Sequence, residues 1–362
     1  MSNNNHNNQS QERALVESGV IIKLGLDVHA RQVTVCRQIG NTTPQPSQRF
    51  TWDKVAAWAA KQKAGGAQVH SCYEAGPCGY GLHRQLLEMG VNNVVVVPRR
   101  LEGAQRQKTD KLDARELVQR LDRYLGGNLM ALSVVRVPTP EEEQKRAESR
   151  QREQFSRMRR QIESRGRSLL LSQGFHEQGK GPWWRQARWD ALKGQLPDWM
   201  AAQLGRWQPM AVQFDHQDRM LRLKLEASVV RELPKGVGAL SWAVLSREIV
   251  DWSRFKNRRQ VASYTGLCPG VHKSDGRGHE GSINRCGNPR VRSALVEMVW
   301  RLVRFQPSYP PVQMLIDKSA LSTRNRRRAV VAAARRLAID LWRLATGQTT
   351  AEKLGLKAPA AM

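Results

Sequence analysis

Four carboxylates and one serine are the residues of this chain whose types and surroundings suit joint chemistry. Asp27 closes the apolar run LGLDVHA, Glu74 follows a second run in CYEAGPCGYG, and Asp110 and Asp113 stand in QRQKTDKLDARE. The spacing of the last pair puts both carboxylates on one face of a single helical turn. Thr109 stands where it can cap that turn, which sets both acids near a positive helix end. Gathered carboxylates raise one another's pKa unless a cation fills the site. Carboxylate oxygens are the ligands that Mg²⁺ and Mn²⁺ prefer, and an ion so held can bind a phosphodiester and stabilise its transition state. Taken singly, the same acids also suit helix caps and surface charges.

The serine is Ser274, in YTGLCPGVHKSDGRGHEGSINRCGNPRVR, from Tyr264 to Arg292. Its glycines and Pro269 and Pro289 read as a compliant loop in an otherwise helical half. Lys273, Arg277, Arg285, Arg290 and Arg292 make it positive and are the candidate nucleic-acid contacts. A polar serine among cations suits a phosphate-directed nucleophile, and equally an ordinary basic surface loop.

The elements that must position these groups are read from periodicity. Apolar runs predict strands at Ile21 to His29 and Asn93 to Val97, alternation predicts another over Arg31 to Gln38, and Gln68 to Tyr73 reads as a further strand. Helical spacing marks Trp52 to Lys63, Tyr80 to Met89 and Lys108 to Leu121. Strands interleaved with helices predict an α/β layer with a mixed sheet. From Pro138 the chain changes. Glu141 to Gln161 reads as a long solvated helix or helical hairpin, and Gly166, Gly174, Gly179 and Gly181 interrupt the next stretch of chain. Trp183, Trp184, Trp189, Trp199 and Trp207 suit either a small helical core or base stacking. Gln213 to Glu232 is helical, and LPKGVG at 233–238 precedes an apolar helix over Ala239 to Ile249. Its two glycines suit a phosphate seat or a tight turn. Helices are also predicted over Val291 to Val303 and Val330 to Leu344.

Composition narrows the partner. Fifty-nine Lys and Arg against thirty-two Asp and Glu leave a net charge of +27. A polyanion would neutralise that field, which makes nucleic acid the leading partner ahead of acidic membranes. The five cysteines form no CxxC pair, which argues against a zinc site and a disulfide framework. No leader segment or membrane-length apolar run is read, so the expectation is a cytoplasmic, prokaryotic, nucleoid-associated protein with no membrane partner.

LGLDVH, YEAGPCGYGLHRQL and VVVPRR…KTDKLDA resemble the RNase-H-like N-terminal domain of insertion-sequence transposases of the DEDD family, which are similar to Holliday-junction resolvases. LPKGVGALSWAVLSREIVDWSRFKNRRQVASYTGLCPG with KSDGRGHEGSINRCGNPRVR resembles the same family's C-terminal transposase domain. The resemblance spans most of 20–345 and implies an RNase-H-like α/β domain at 19–135, a coiled-coil-like helical connector at 136–231, and a mostly α domain with a glycine-rich catalytic loop at 232–345. Residues 1–18 read as a disordered lead and 346–362 as a tail. It further implies Asp27, Glu74, Asp110 and Asp113 as an acidic tetrad for Mg²⁺ or Mn²⁺, and Ser274 as a nucleophile. Aspartate at 275, after the serine, departs from the Ser-Gly frequent in the family.

The implied activity is RNA-guided DNA recombination through a covalent phosphoserine ester. The implied partners are donor and target DNA, a structured noncoding bridge RNA, and further copies of the chain in a dimer or tetramer. The alternative is a metal-dependent Holliday-junction-type endonuclease that uses water and leaves Ser274 idle.

Overall fold

The computed structural model describes residues 19–63, 66–98, 109–176, 181–230, 232–274, 277–316 and 322–357; of 271–274, 277–280 and 314 it describes the backbone only. The chain forms two compact units, 1–137 and 138–362.

The first unit is built on strands β1 (Ile21–Val28), β2 (Val33–Ile39), β3 (Gln48–Phe50), β4 (Gln68–Glu74) and β5 (Asn92–Val96). Its helices are α1 (Trp52–Lys61), α2 (Gly81–Glu88) and α3 (Asp110–Leu125). The sheet order is β3-β2-β1-β4-β5, antiparallel between β1 and β2 and parallel between β1 and β4. This is the mixed, RNase-H-like sheet that the sequence predicts. Central β1 is covered on both faces, which explains its nearly unbroken apolar run. Leu24 and Leu26 join Val55 and Ala59 of α1 and Leu82 and Leu86 of α2 in one core.

The opposite face of the sheet carries a row of small residues, because Gly25 pairs with Cys36 on β2 and Cys72 on β4. Helix α3 closes onto that row. A Cβ at Gly25 would lie 2.2 Å from the Ala114 carbonyl oxygen and 2.5 Å from the Val118 nitrogen. Lys23, buried one turn of pleat away, is ion-paired with Asp122 of α3 and donates to Gly40 O at 2.9 Å. Cys36 and Cys72 serve here as small packing residues, and burial pushes the Cys72 thiol up to about 12.

The second unit opens with α4 (Pro140–Ser172), started by a capping box in which Thr139 Oγ1 accepts from Glu142 N. After α5 (Gln186–Lys193), α6 (Asp198–Ala227) runs antiparallel to α4. Lys224–Glu148, Arg152–Asp218 and Arg159–Asp215 pair along their length. Gly166 does not interrupt α4: a Cβ there would lie 2.3 Å from the indole of Trp183, so this glycine admits the ring. Trp183 and Trp184 are buried with Leu170, Met200 and Leu204, which is the core use of tryptophan. Trp199 is exposed.

The remaining helices are α7 (Ala239–Ile249), α8 (Arg258–Thr265), α9 (Pro289–Phe305), α10 (Pro310–Ile316) and α11 (Thr323–Ala345). They share a core that includes Leu245, Leu295, Leu302, Leu337 and Leu341. The stretch read as a compliant loop instead contains an antiparallel hairpin, β6 (Pro269–Ser274) and β7 (Arg277–Ile283). Alternation in PGVHKS and RGHEGSI is weak, and cross-strand pairing supplies what local pattern does not. At the glycine pair before α7, Arg301 donates to Ser241 Oγ at 2.7 Å, so a cation of the chain itself crowds the first turn read as a phosphate seat. Among the described residues no helix is long and apolar enough to cross a membrane.

Candidate metal centre

The first unit brings Asp27, His29 and Asp110 together. One ligand atom from each lies within 4.8 Å of the other two. Asp27 is the last residue but one of β1, at the centre of the sheet, and Asp110 begins α3, so the close approach at Gly25 sets their separation. His29 stands two residues past Asp27 where the chain leaves the strand, and i, i+2 spacing in extended backbone keeps both on one side. Its Nε2 is 3.0 Å from Asp27 Oδ2 and 3.5 Å from Asp110 Oδ1, and its carbonyl accepts from Trp52 Nε1 at 2.8 Å. Arg49 flanks Asp110 at 3.8 Å.

Asp27 and His29 line a cavity of about 710 Å³, together with Glu74, Asp113, Glu116 and Arg120. Burial raises the Asp27 carboxyl above its ordinary range. His29 partly offsets this, and the charges of Asp110 and Asp113 add to it. A carboxylate held up by burial and by like charges is what a bound cation would relieve. Two carboxylates and one imidazole form a donor set that fits a divalent first-row ion or Mg²⁺.

The predicted tetrad is divided by this geometry. Asp27 and Asp110 stand in the cluster, and Asp113 is an electrostatic neighbour one turn along α3. Glu74 shares the cavity and is 3.8 Å from Nη1 of buried Arg120. Thr109 occupies the N-cap position of α3, but its side chain makes no cap bond; its carbonyl accepts from Leu112 N and Asp113 N instead. Sequence alone did not single out His29, although its spacing from Asp27 carried the signal. Nor did it single out Glu116 and Arg120, further along α3 in DKLDARELVQR.

Ser274 ends β6 opposite Arg277 in the second unit. The side chains of Lys273, Ser274 and Arg277 lie outside the described residues. Arg285 is exposed with φ 55°, Arg290 is ion-paired with Glu153 at 2.6 Å, and Arg292 donates to Thr265 O at 3.1 Å. The expectation of a phosphoserine ester is overturned by the Asp27–His29–Asp110 cluster. A ligand set of this kind supports metal-dependent hydrolysis, in which water replaces a serine as the attacking group.

Sheet order, strand-end carboxylates and the helix behind them define an RNase-H-like domain with a candidate divalent-metal centre. The chain belongs to the IS116/IS110/IS902 family of transposases, whose family model matches residues 228–311. It is 31% identical over 316 residues to a Sinorhizobium fredii protein provisionally named transposase y4rJ, covering 79% of each chain. A second Sinorhizobium fredii protein, provisionally named transposase y4qE, is 31% identical over 246 residues, 67% of this chain and 60% of that one. The pilin gene-inverting protein of Moraxella lacunata is 28% identical over 158 residues, 42% of this chain and 48% of its own.

Replacing Gly25 tests how the centre is positioned. Gly25→Ala is expected to overpack the β1–α3 contact and cost roughly 1–3 kcal/mol, read as a lower urea midpoint. It is also expected to weaken Mn²⁺ binding by drawing Asp110 away from Asp27. Unchanged stability and unchanged Mn²⁺ affinity would refute the close-packing account.

Proposed function

We propose that this enzyme of transposition cuts DNA hydrolytically at the centre in its first unit, as a metal-dependent junction endonuclease does. The observation that carries this reading is the convergence of Asp27, His29 and Asp110 on one point beside an acidic cavity. Asp27 and Asp110 would hold the ion through carboxylate oxygens and His29 through Nε2. When bound, a divalent ion neutralises phosphate charge and lowers the pKa of water. Asp113 and Glu116, facing the same cavity, are placed to take the proton of the attacking water. Arg120 orients Glu74 at the cavity wall.

Mg²⁺ and Mn²⁺ both suit two carboxylates, and the imidazole favours Mn²⁺. The partners in this reading are donor and target DNA and a structured noncoding RNA that pairs with both, acting on a homodimer or homotetramer. Family membership and the charge of +27 support those partners. Paired cleavage of two duplexes requires more than one centre.

The test is cleavage of supercoiled and four-way branched DNA. Nicking is expected with either ion, at lower concentration for Mn²⁺, and is expected to stop in EDTA. Cut strands should migrate free of protein after SDS. Undiminished cutting in EDTA, or DNA that stays attached to protein, would overturn the hydrolytic reading. Sequencing of copurifying nucleic acid is expected to return one discrete RNA; random fragments would remove the RNA partner.

A further inference from the structure

Arg120 of α3 is a cation buried in the wall of the acidic cavity. Its side chain is only 7% exposed, and it lines that cavity with Asp27, Glu74, Asp113 and Glu116. Nε donates to the Ala131 carbonyl oxygen at 3.1 Å, which anchors the guanidinium at one end. The other end is not committed. Nη1 lies 3.8 Å from Glu74 Oε1, beyond hydrogen-bond distance, and among the described residues neither Nη nitrogen makes a hydrogen bond. Neither Nη is sealed from solvent, unlike the buried nitrogens of Arg254. What access this side chain keeps is therefore at its Nη end, on the side of Glu74 and the cavity.

A guanidinium offers five N–H donors and stays charged at any physiological pH. Leaving most of those donors unmet in a buried position is costly. A pair built for its own sake looks different in this chain. Arg150 meets both oxygens of Glu248 at 2.9 Å, in the two-pronged geometry that suits a guanidinium and a carboxylate. Glu74 instead keeps a 40% exposed side chain and stands off from Arg120. A planar fork, held at Nε and open at both Nη, matches an anion that presents oxygens from the cavity.

We propose that Arg120 binds the phosphodiester of the DNA that is cut at this centre, donating from Nη to a non-bridging oxygen. The proposal rests on the hydrolytic reading, which supplies the anion. Four carboxylates on one cavity would repel a phosphate. A divalent ion at Asp27, His29 and Asp110 offsets that repulsion on one side, and Arg120 offsets it on the other. Until DNA arrives, the loose contact with Glu74 keeps the guanidinium aimed along the wall. Once DNA is present, Glu74 competes with the phosphate for the same donors. Arg120 is thus a substrate-binding residue, and Glu74 is the group that positions it.

The experiment measures binding of four-way branched DNA to the full chain across a range of salt, with Ca²⁺ in place of Mn²⁺. Arg120→Met is expected to weaken binding about tenfold and to lower the salt slope by about 0.9, the share of one phosphate contact. Arg120→Lys keeps the charge and is expected to keep the slope. Glu74→Gln, at a half-exposed position, is expected to bind about threefold tighter, because it frees Arg120 from a competing charge. If the two residues only brace each other, losing either one would act in the same direction and would leave the slope alone. A slope unchanged in Arg120→Met would overturn the proposal, as would weaker binding by Glu74→Gln. Melting with Mn²⁺ and no DNA tests the centre by itself. A parent that gains no stability from Mn²⁺ would remove the hydrolytic reading and this proposal with it. A parent that does gain stability, beside an Arg120→Met variant with the parent's slope, would remove this proposal alone.

Discussion

Asp27→Asn is expected to lower metal-dependent DNA cleavage by more than about a hundredfold, beyond what loss of a supporting contact to a metal ligand costs. The same variant should lose the rise in melting temperature that Mn²⁺ produces in the parent. An ion present at a hundred times its dissociation constant adds about 2.7 kcal/mol to stability. The pH response in EDTA has a definite sign. Burial, together with the charges of Asp110 and Asp113 and against the pull of His29, raises the Asp27 carboxyl in the fold. An acid raised by folding contributes most below its unfolded value, about 3.9, and that contribution is lost as pH rises through the folded value. The parent should therefore lose stability over that window when metal-free, and Asp27→Asn should not. Melting curves with and without Mn²⁺ check both statements. An Asn variant that still gains stability from Mn²⁺ would remove Asp27 from the centre.

Glu248→Ala is expected to cost about 3–5 kcal/mol, the range for leaving one partner of a buried ion pair uncompensated. Glu248 lies in the last turn of α7 and is 1% exposed. Arg150 of α4 donates to both its oxygens at 2.9 Å, and Asn288 Nδ2 donates at 2.8 Å. Asn288 also caps α9 by accepting from Arg290 N and Val291 N, and Tyr264 Oη donates to the Glu248 carbonyl at 2.9 Å. Removing this carboxylate therefore disturbs α4, α7, α8 and α9 at once. Burial alone would raise its pKa, but Arg150, Asn288 and Arg146 outweigh burial and hold it low. An acid lowered by folding stabilises above its unfolded value, about 4.3, and that stabilisation is lost as pH falls through the folded value. Glu248→Gln should flatten the acid arm of the stability profile, which the parent retains. Urea unfolding across pH measures both effects. A loss below about 1 kcal/mol for Glu248→Ala, the size of an ordinary substitution, would show that the network does not hold these helices together.

The division between pattern and packing is clear in particular residues. Strands β1 and β5 are short, largely apolar runs that local composition predicts, β4 is legible as a strand despite its mixed composition, and Asp27 and Glu74 are legible at or next to the ends of β1 and β4. The pairing of Asp110 with Asp113 comes from helical spacing. The polyanion partner comes from a charge of +27. The hairpin β6–β7 was not legible, because glycine-rich strands with weak alternation are specified by their partner strand. Gly166 reads as a helix breaker until Trp183 is seen to need its missing side chain.

The acidic residues, the strands that end in them and the demand for a polyanion were determined by the sequence itself, because side-chain type, two- and four-residue periodicity and total charge are local or additive quantities. Which acids meet was decided only by the tertiary structure. The contact that joins Asp27 to Asp110 is closed by Gly25 against Ala114 and Val118, far along the chain. The same contact admits His29 to the site and leaves Glu74 beside Arg120. Distance along the chain carries no information about such a meeting, because it depends on how closely a helix backbone can approach a strand.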